Sequence, residues 1–144
     1  MIDDPRAIPV GVIGVGSMGQ HHARIMASLP GVRLVGVVDA DLRQARAIAS
    51  LYGVQLFEDY RRLLDSVEAV TIAAPTPLHY SVGMGCLRHG IHVLMEKPLA
   101  GSVHEARELA EAASEAGKVL QVGHVERFNP TFTELAKVLA REHL

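Results

Sequence analysis

Residues 8–13 (IPVGVI) are apolar, rich in β-branched side chains and free of polar alternation. A strand buried on both faces has this pattern. Residues 32–38 and 69–74 read the same way, and shorter apolar runs at 54–57, 91–95 and 119–122 complete six predicted strands. Helices are predicted between them, bounded by residues suited to helix ends. The helix at 20–29 stops at Pro30 and Gly31. Asp41 is placed to cap a helix reaching Leu51, which Gly53 ends. A short helix at 58–65 begins on an acid. The helix at 78–89 stops at Gly90. Ser102 and Glu105 form a capping-box pattern at the head of a helix that runs to Ala116 and ends at Gly117. The last helix, 130–141, is amphipathic and starts near Asn129 or Pro130. Gly83 and Gly85 lie inside the 78–89 helix, where each costs ~1 kcal/mol relative to Ala, so close backbone packing is expected there.

Strict alternation of strand and helix predicts a parallel sheet with helices on both faces. Right-handed crossovers then give an α/β, doubly wound parallel sheet, the Rossmann dinucleotide-binding domain. A length of 144 residues suits one such domain. With three Phe, three Tyr and no Trp, the core must be largely aliphatic.

Charge and composition narrow the partners. A net charge of −2 gives no broad footprint for nucleic acid and no attraction to an anionic membrane. No apolar run approaches membrane-spanning length. The acidic, polar stretch from Met1 to Arg6 is not a signal peptide, so the expectation is a cytoplasmic protein. Cys86 is the only cysteine, which excludes an intramolecular disulfide. In an apolar helical stretch it reads as a small core residue, with a reactive thiol as the alternative.

The chemistry concentrates after the strands. Gly14-Val15-Gly16-Ser17-Met18-Gly19 matches G-x-G-x-x-G between a buried strand and a helix. Gly14 allows the turn, Gly16 lets a pyrophosphate approach the backbone, and Gly19 permits close helix packing. The helix N-terminus offers N–H groups to the phosphates. Asp39 ends the second strand, twenty residues beyond Gly19. A carboxylate there accepts the adenosine ribose hydroxyls and repels a 2′-phosphate, which favours NAD over NADP. Arg43, four residues on, is the nearest cation for such a phosphate. A plain glycine turn with a capping Asp is the competing reading.

Three later strand ends carry unusual residues. Ala74-Pro75-Thr76-Pro77-Leu78-His79 is held extended by its prolines and can run along a cofactor. His79 reads either as a ligand contact or as a helix-start residue. Glu96-Lys97-Pro98 puts a charged pair directly after a buried strand. Lys97 there can exchange a proton with a substrate oxygen; a surface ion pair is the alternative. Gly123 to Pro130 is dense in polar residues that line a substrate entrance or cap the last helix. His21 and His22 lack a carboxylate or cysteine at ligand spacing and read as phosphate-side or surface residues. No metal-site pattern and no nucleophile elbow occurs in the chain.

These residues together resemble the Gfo/Idh/MocA oxidoreductase family, over about residues 8–130. The likeness rests on VGVIGVGSMGQHHARIMASLPGVRLVGVVDAD, AAPTPLHY, HVLMEKPLA and VGHVERFNP. It implies hydride transfer between a nicotinamide cofactor and a sugar, cyclitol or nucleotide-sugar carbon. By that resemblance Gly14, Gly16, Ser17, Met18 and Gly19 hold pyrophosphate and Asp39 holds ribose. Ala74, Thr76, Pro77 and His79 follow the nicotinamide half, Glu96 binds its ribose, and Arg127 lies near cofactor or substrate. Lys97 is the catalytic candidate and also a cofactor neighbour. The VGHVERFNP segment looks most like enzymes oxidising UDP-N-acetylglucosamine-type sugars at C3. Family members continue into a second domain that supplies substrate contacts and usually the oligomer interface. This chain ends at Leu144, so the expectation is an NAD-binding domain that is catalytically incomplete alone. A stand-alone NAD-binding or redox-sensing module, and a reductase that recruits its second domain from another chain, are the alternatives. Surfaces that would meet the second domain are expected to expose apolar patches and favour self-association.

Overall fold

The computed structural model of the chain describes residues 6–141; the leader reading at Met1–Arg6 therefore lies almost wholly outside the described residues. Six strands alternate with six helices. In chain order they are β1 (Ile8–Ile13), α1 (Gly19–Ser28), β2 (Val32–Val38), α2 (Leu42–Tyr52), β3 (Gln55–Phe57), α3 (Tyr60–Leu64), β4 (Ala69–Ile72), α4 (His79–Arg88), β5 (His92–Met95), α5 (Val103–Glu115), β6 (Leu120–Val122) and α6 (Pro130–Arg141). All five strand pairs are parallel, in the order β3-β2-β1-β4-β5-β6. The winding therefore reverses between β1 and β4, and the C-terminal ends of these two neighbours border the crevice where open α/β sheets bind ligands. The predicted fold class stands.

The expected punctuation is visible in the backbone. Asp41 accepts from the N–H groups of Arg43 and Gln44, and Gly53 closes α2 in the left-handed conformation. Ser102 and Glu105 complete the reciprocal capping box of α5. Two boundaries move for local reasons. The 58–65 helix shortens to Tyr60–Leu64 because Asp59 takes the cap, accepting from Arg61 N–H. The 78–89 helix starts later because Pro75 and Pro77 set up a separate 3-10 turn, Thr76–Leu78. A second 3-10 turn, Val125–Phe128, was not foreseen.

Two apolar layers sandwich the sheet. Val12, Val15, Leu34 and Val37 pack under α1 and α2 through Ala23, Ala45, Ile48 and Ala49. On the other face Val70, Ile72, Val93 and Met95 meet Leu63, Leu87, Leu109 and Ala113 from α3, α4 and α5. The glycines inside α4 have the expected cause. A Cβ at Gly83 would lie 2.8 Å from Met95 Cε, and one at Gly85 would lie 2.6 Å from the Tyr60 hydroxyl. Cys86 is fully buried, and burial pushes its thiol up to about 12. It is a core residue and not a reactive thiol.

The second half of the sheet is covered on one face only. Beside α1, an apolar groove runs over Ile8, Val10, Met26, Ala69, Leu94 and Gln121. The amphipathic α6 does not cover it; α6 packs on the Val125–Phe128 turn and exposes Phe132, Leu135 and Val138. Among the described residues no helix is long and apolar enough to cross a membrane.

Candidate functional site

The glycine loop leaves β1 at the centre of the sheet. Gly14 has φ +85°, which L side chains rarely adopt, and its α-carbon abuts the end of β4: an added Cβ would lie 2.6 Å from Ala74 N. Gly19 opens α1 directly over Gly14, where a Cβ would meet Gly14 O at 1.8 Å. Gly16 differs from both, since an added Cβ would meet nothing within 4 Å. Two glycines thus fold the loop onto itself while the middle one faces open space, with Ser17 and Met18 exposed beside it. No side chain caps the N-terminus of α1. A backbone shaped in this way fits a pyrophosphate.

Asp39 is joined to that loop. Its Oδ2 accepts from Val15 N–H at 2.7 Å, and its Oδ1 accepts from Asp41 N–H at 2.9 Å. The carboxylate keeps one acceptor site on each oxygen for a further donor, as a pair of ribose hydroxyls requires. Gln44, which the sequence pattern did not single out, reaches from α2 to donate to Val15 O at 3.1 Å. The Arg43 guanidinium is exposed and turned to Asp41, with Nε 3.7 Å from Oδ1.

The β4 and β5 ends form the other half. Ala74, Thr76 and Pro77 lie along the loop after β4, with Thr76 half-buried and Pro77 exposed. His79 departs from the expectation of a ligand contact. It is 1% exposed, and both ring nitrogens lie 2.8 Å from backbone carbonyls, Nδ1 from Pro98 O and Nε2 from Ala74 O. Both nitrogens are turned to backbone and not to open space, so His79 is a buried residue between the β4 and β5 loops, where the N–H of a neutral ring bonds one of the two carbonyls. Glu96 is 7% exposed, and its Oε2 accepts from Lys97 N–H at 3.2 Å. Lys97 itself is exposed, and the Lys97–Pro98 peptide is cis.

His22 also departs from its reading as a phosphate-side or surface residue. It points from α1 across to the other half of the site, with Nε2 3.0 Å from Glu96 Oε1 and Nδ1 bonded to Thr71 Oγ1. Thr71 and Gly123 belong to the same cluster without having been anticipated. A Cβ at Gly123 would come within 3.2 Å of Glu96 Oε1. Arg127 lies on the exposed Val125–Phe128 turn that follows, separate from the glycine loop in sequence and from the buried cluster in exposure. The strand ends thus carry the glycine loop, Asp39, the 74–77 loop and Glu96–Lys97.

Comparison with known proteins agrees with this geometry. Residues 8–124 match the profile of the Gfo/Idh/MocA group, described as an oxidoreductase family with an NAD-binding Rossmann fold. The chain is 42% identical to an inositol 2-dehydrogenase of Rubrobacter xylanophilus over 97% of its own length and 42% of the relative's. It is 36% identical to UDP-N-acetylglucosamine 3-dehydrogenase of Acidithiobacillus ferrooxidans, over 87% of this chain and 39% of that one. Among solved structures it superposes on GenD2 from gentamicin A biosynthesis, in complex with NAD, with a TM-score of 0.90 and 34% identity, covering 94% of this chain and 39% of the other. The chain thus spans about two fifths of the length of these relatives.

Proposed function

Because the chain belongs to the Gfo/Idh/MocA family of oxidoreductases with an NAD-binding Rossmann fold, we propose that its strand ends hold NAD for hydride transfer at a hydroxyl-bearing carbon of a sugar, cyclitol or nucleotide sugar. The observation that carries this reading is the Asp39 carboxylate, bonded to the backbone of the glycine loop. Read as the ribose acceptor, it adjoins the loop read as the pyrophosphate cradle, and its negative charge disfavours the 2′-phosphate of NADP.

Gly14, Gly16, Ser17, Met18 and Gly19 then frame the pyrophosphate. Ala74, Thr76 and Pro77 flank the nicotinamide half, and Glu96 accepts from its ribose. When bound, NAD supplies the hydride acceptor or donor. Lys97 is the catalytic residue, moving a proton at the substrate oxygen, and Arg127 lies towards the substrate. His79 acts on the same region through backbone, lying between the Ala74 and Pro98 carbonyls. Residues 1–144 serve as the cofactor domain, and a second domain, matching the remainder of the relatives' length, supplies the substrate wall and an oligomer interface. The protein works in the cytoplasm.

Calorimetry on the purified chain tests the reading. NAD binds, NADP binds at least about tenfold more weakly, and Asp39→Ala costs NAD roughly tenfold or more, the size of one lost charge-assisted contact. Tighter binding of NADP, or no binding of either, overturns it. Turnover with NAD and nucleotide sugars is negligible for this chain alone; robust turnover would refute the need for a second domain.

A further inference from the structure

The His22 ring joins α1, on the glycine-loop half of the site, to the β4 and β5 ends on the other half. It stands on the first turns of α1, the helix that the glycine loop opens, yet its contacts are at the ends of β4 and β5. The sequence distances are 49 residues to Thr71 and 74 to Glu96. All three groups are withdrawn from water: the His22 and Glu96 side chains are 12% and 9% exposed, and Thr71 is 1% exposed.

Donors and acceptors here close in one arrangement. A carboxylate only accepts, so His22 Nε2 must carry a hydrogen to meet Glu96 Oε1 at 3.0 Å. In a neutral ring Nδ1 then bears the lone pair, and the Thr71 hydroxyl donates to it. The opposite tautomer would turn a lone pair towards a carboxylate and leave the threonine hydroxyl to serve as acceptor. The Glu96 carboxylate therefore selects the tautomer, and the Thr71 hydroxyl, which can donate or accept, turns to meet the other nitrogen and holds the ring in place. Two further contacts restrict Glu96. Its Oε2 accepts from Lys97 N–H, and Gly123 comes so close that a Cβ there would stand 3.2 Å from Oε1.

We propose that His22 is a positioning residue, which fixes the Glu96 carboxylate so that its remaining acceptor sites meet the nicotinamide-side ribose. This rests on the NAD reading above. A glutamate left to itself turns about three side-chain bonds; clamped at Oε1 from α1 and at Oε2 from its own turn, it presents one geometry. His22 thereby acts on the far half of the cofactor although it sits on the helix serving the near half.

The test compares two ligands on the whole chain by calorimetry: NAD, which reaches both halves, and ADP, which reaches only the adenosine half. His22→Ala lowers NAD affinity about tenfold, as for one lost charge-assisted hydrogen bond, and leaves ADP affinity within about twofold. A merely structural role would weaken both ligands alike. Glu96→Gln produces a similar loss for NAD, and the double variant loses no more than either alone, because both remove one linked contact. His22→Gln, which restores an N–H donor, recovers most of the loss. Should His22→Ala fail to fold, Thr71→Val gives the same readout: a several-fold loss for NAD, with ADP unaffected. NAD affinity unchanged in these variants, additive losses in the double variant, or equal losses for ADP overturns the role of His22. A wild-type chain that binds ADP and NAD equally well also overturns it, since the nicotinamide half then contributes nothing. A wild-type chain that binds neither overturns the parent reading and this one with it.

Discussion

Gly14 shows how much one missing methyl group can decide. Its φ of +85° costs an L residue ~1–2 kcal/mol. A Cβ 2.6 Å from Ala74 N adds an overpacking cost of ~1–3 kcal/mol, because backbone cannot yield as a side chain can. Gly14→Ala is therefore expected to lower stability by about 3 kcal/mol in urea unfolding; an unchanged midpoint would contradict the geometry. The tight turn at Gly14, the close packing at Gly19, the open space at Gly16 and the place of Asp39 at the end of β2 were legible because each is local or set by a fixed spacing along the chain. His22 and His79 were not. The partners of His22 lie 49 and 74 residues away, and those of His79 are backbone carbonyls, which every residue has. A sequence pattern records neither.

Elements were more legible than contacts, because apolar runs and end signals are properties of neighbours. All six strands and six helices appear in the predicted order. The misjudged edges lie where a proline or a competing cap acts, at Thr76–Leu78 and at Asp59. The capping box of α5 offers a check at this scale. Glu105 N–H donates to Ser102 Oγ at 3.2 Å, and Glu105 Oε2 accepts from the N–H groups of Ser102 and Gly101. Ser102→Ala should cost ~1 kcal/mol, or about 3 °C in the melting midpoint of a domain this size. A shift below half a degree would show that tertiary packing of Leu109 and Ala113 alone carries the helix end.

Over the whole molecule, burial is uneven. The sheet is sealed on the α3–α4–α5 side, while the groove beside α1 and the apolar stripe of α6 remain open. Phe128, on the turn before α6, is 82% exposed. Exposed apolar surface of this kind drives association. Light scattering on the purified chain should show concentration-dependent self-association that Leu135→Glu with Val138→Glu reduces. A clean monomer at high concentration would count against it. This asymmetry was only partly legible: the amphipathic pattern of 130–141 predicts an apolar face but not what lies against it.

Three links between the strand-end loops are made by the protein's own side chains. Asp39 holds Val15, His79 packs between Ala74 and Pro98 and bonds a backbone carbonyl there, and His22 holds Glu96. Loops held by such links have less ordering entropy to lose when a ligand docks. Differences in affinity among variants of these links should therefore arise in residence time, in how long the ligand stays and not in how fast it arrives.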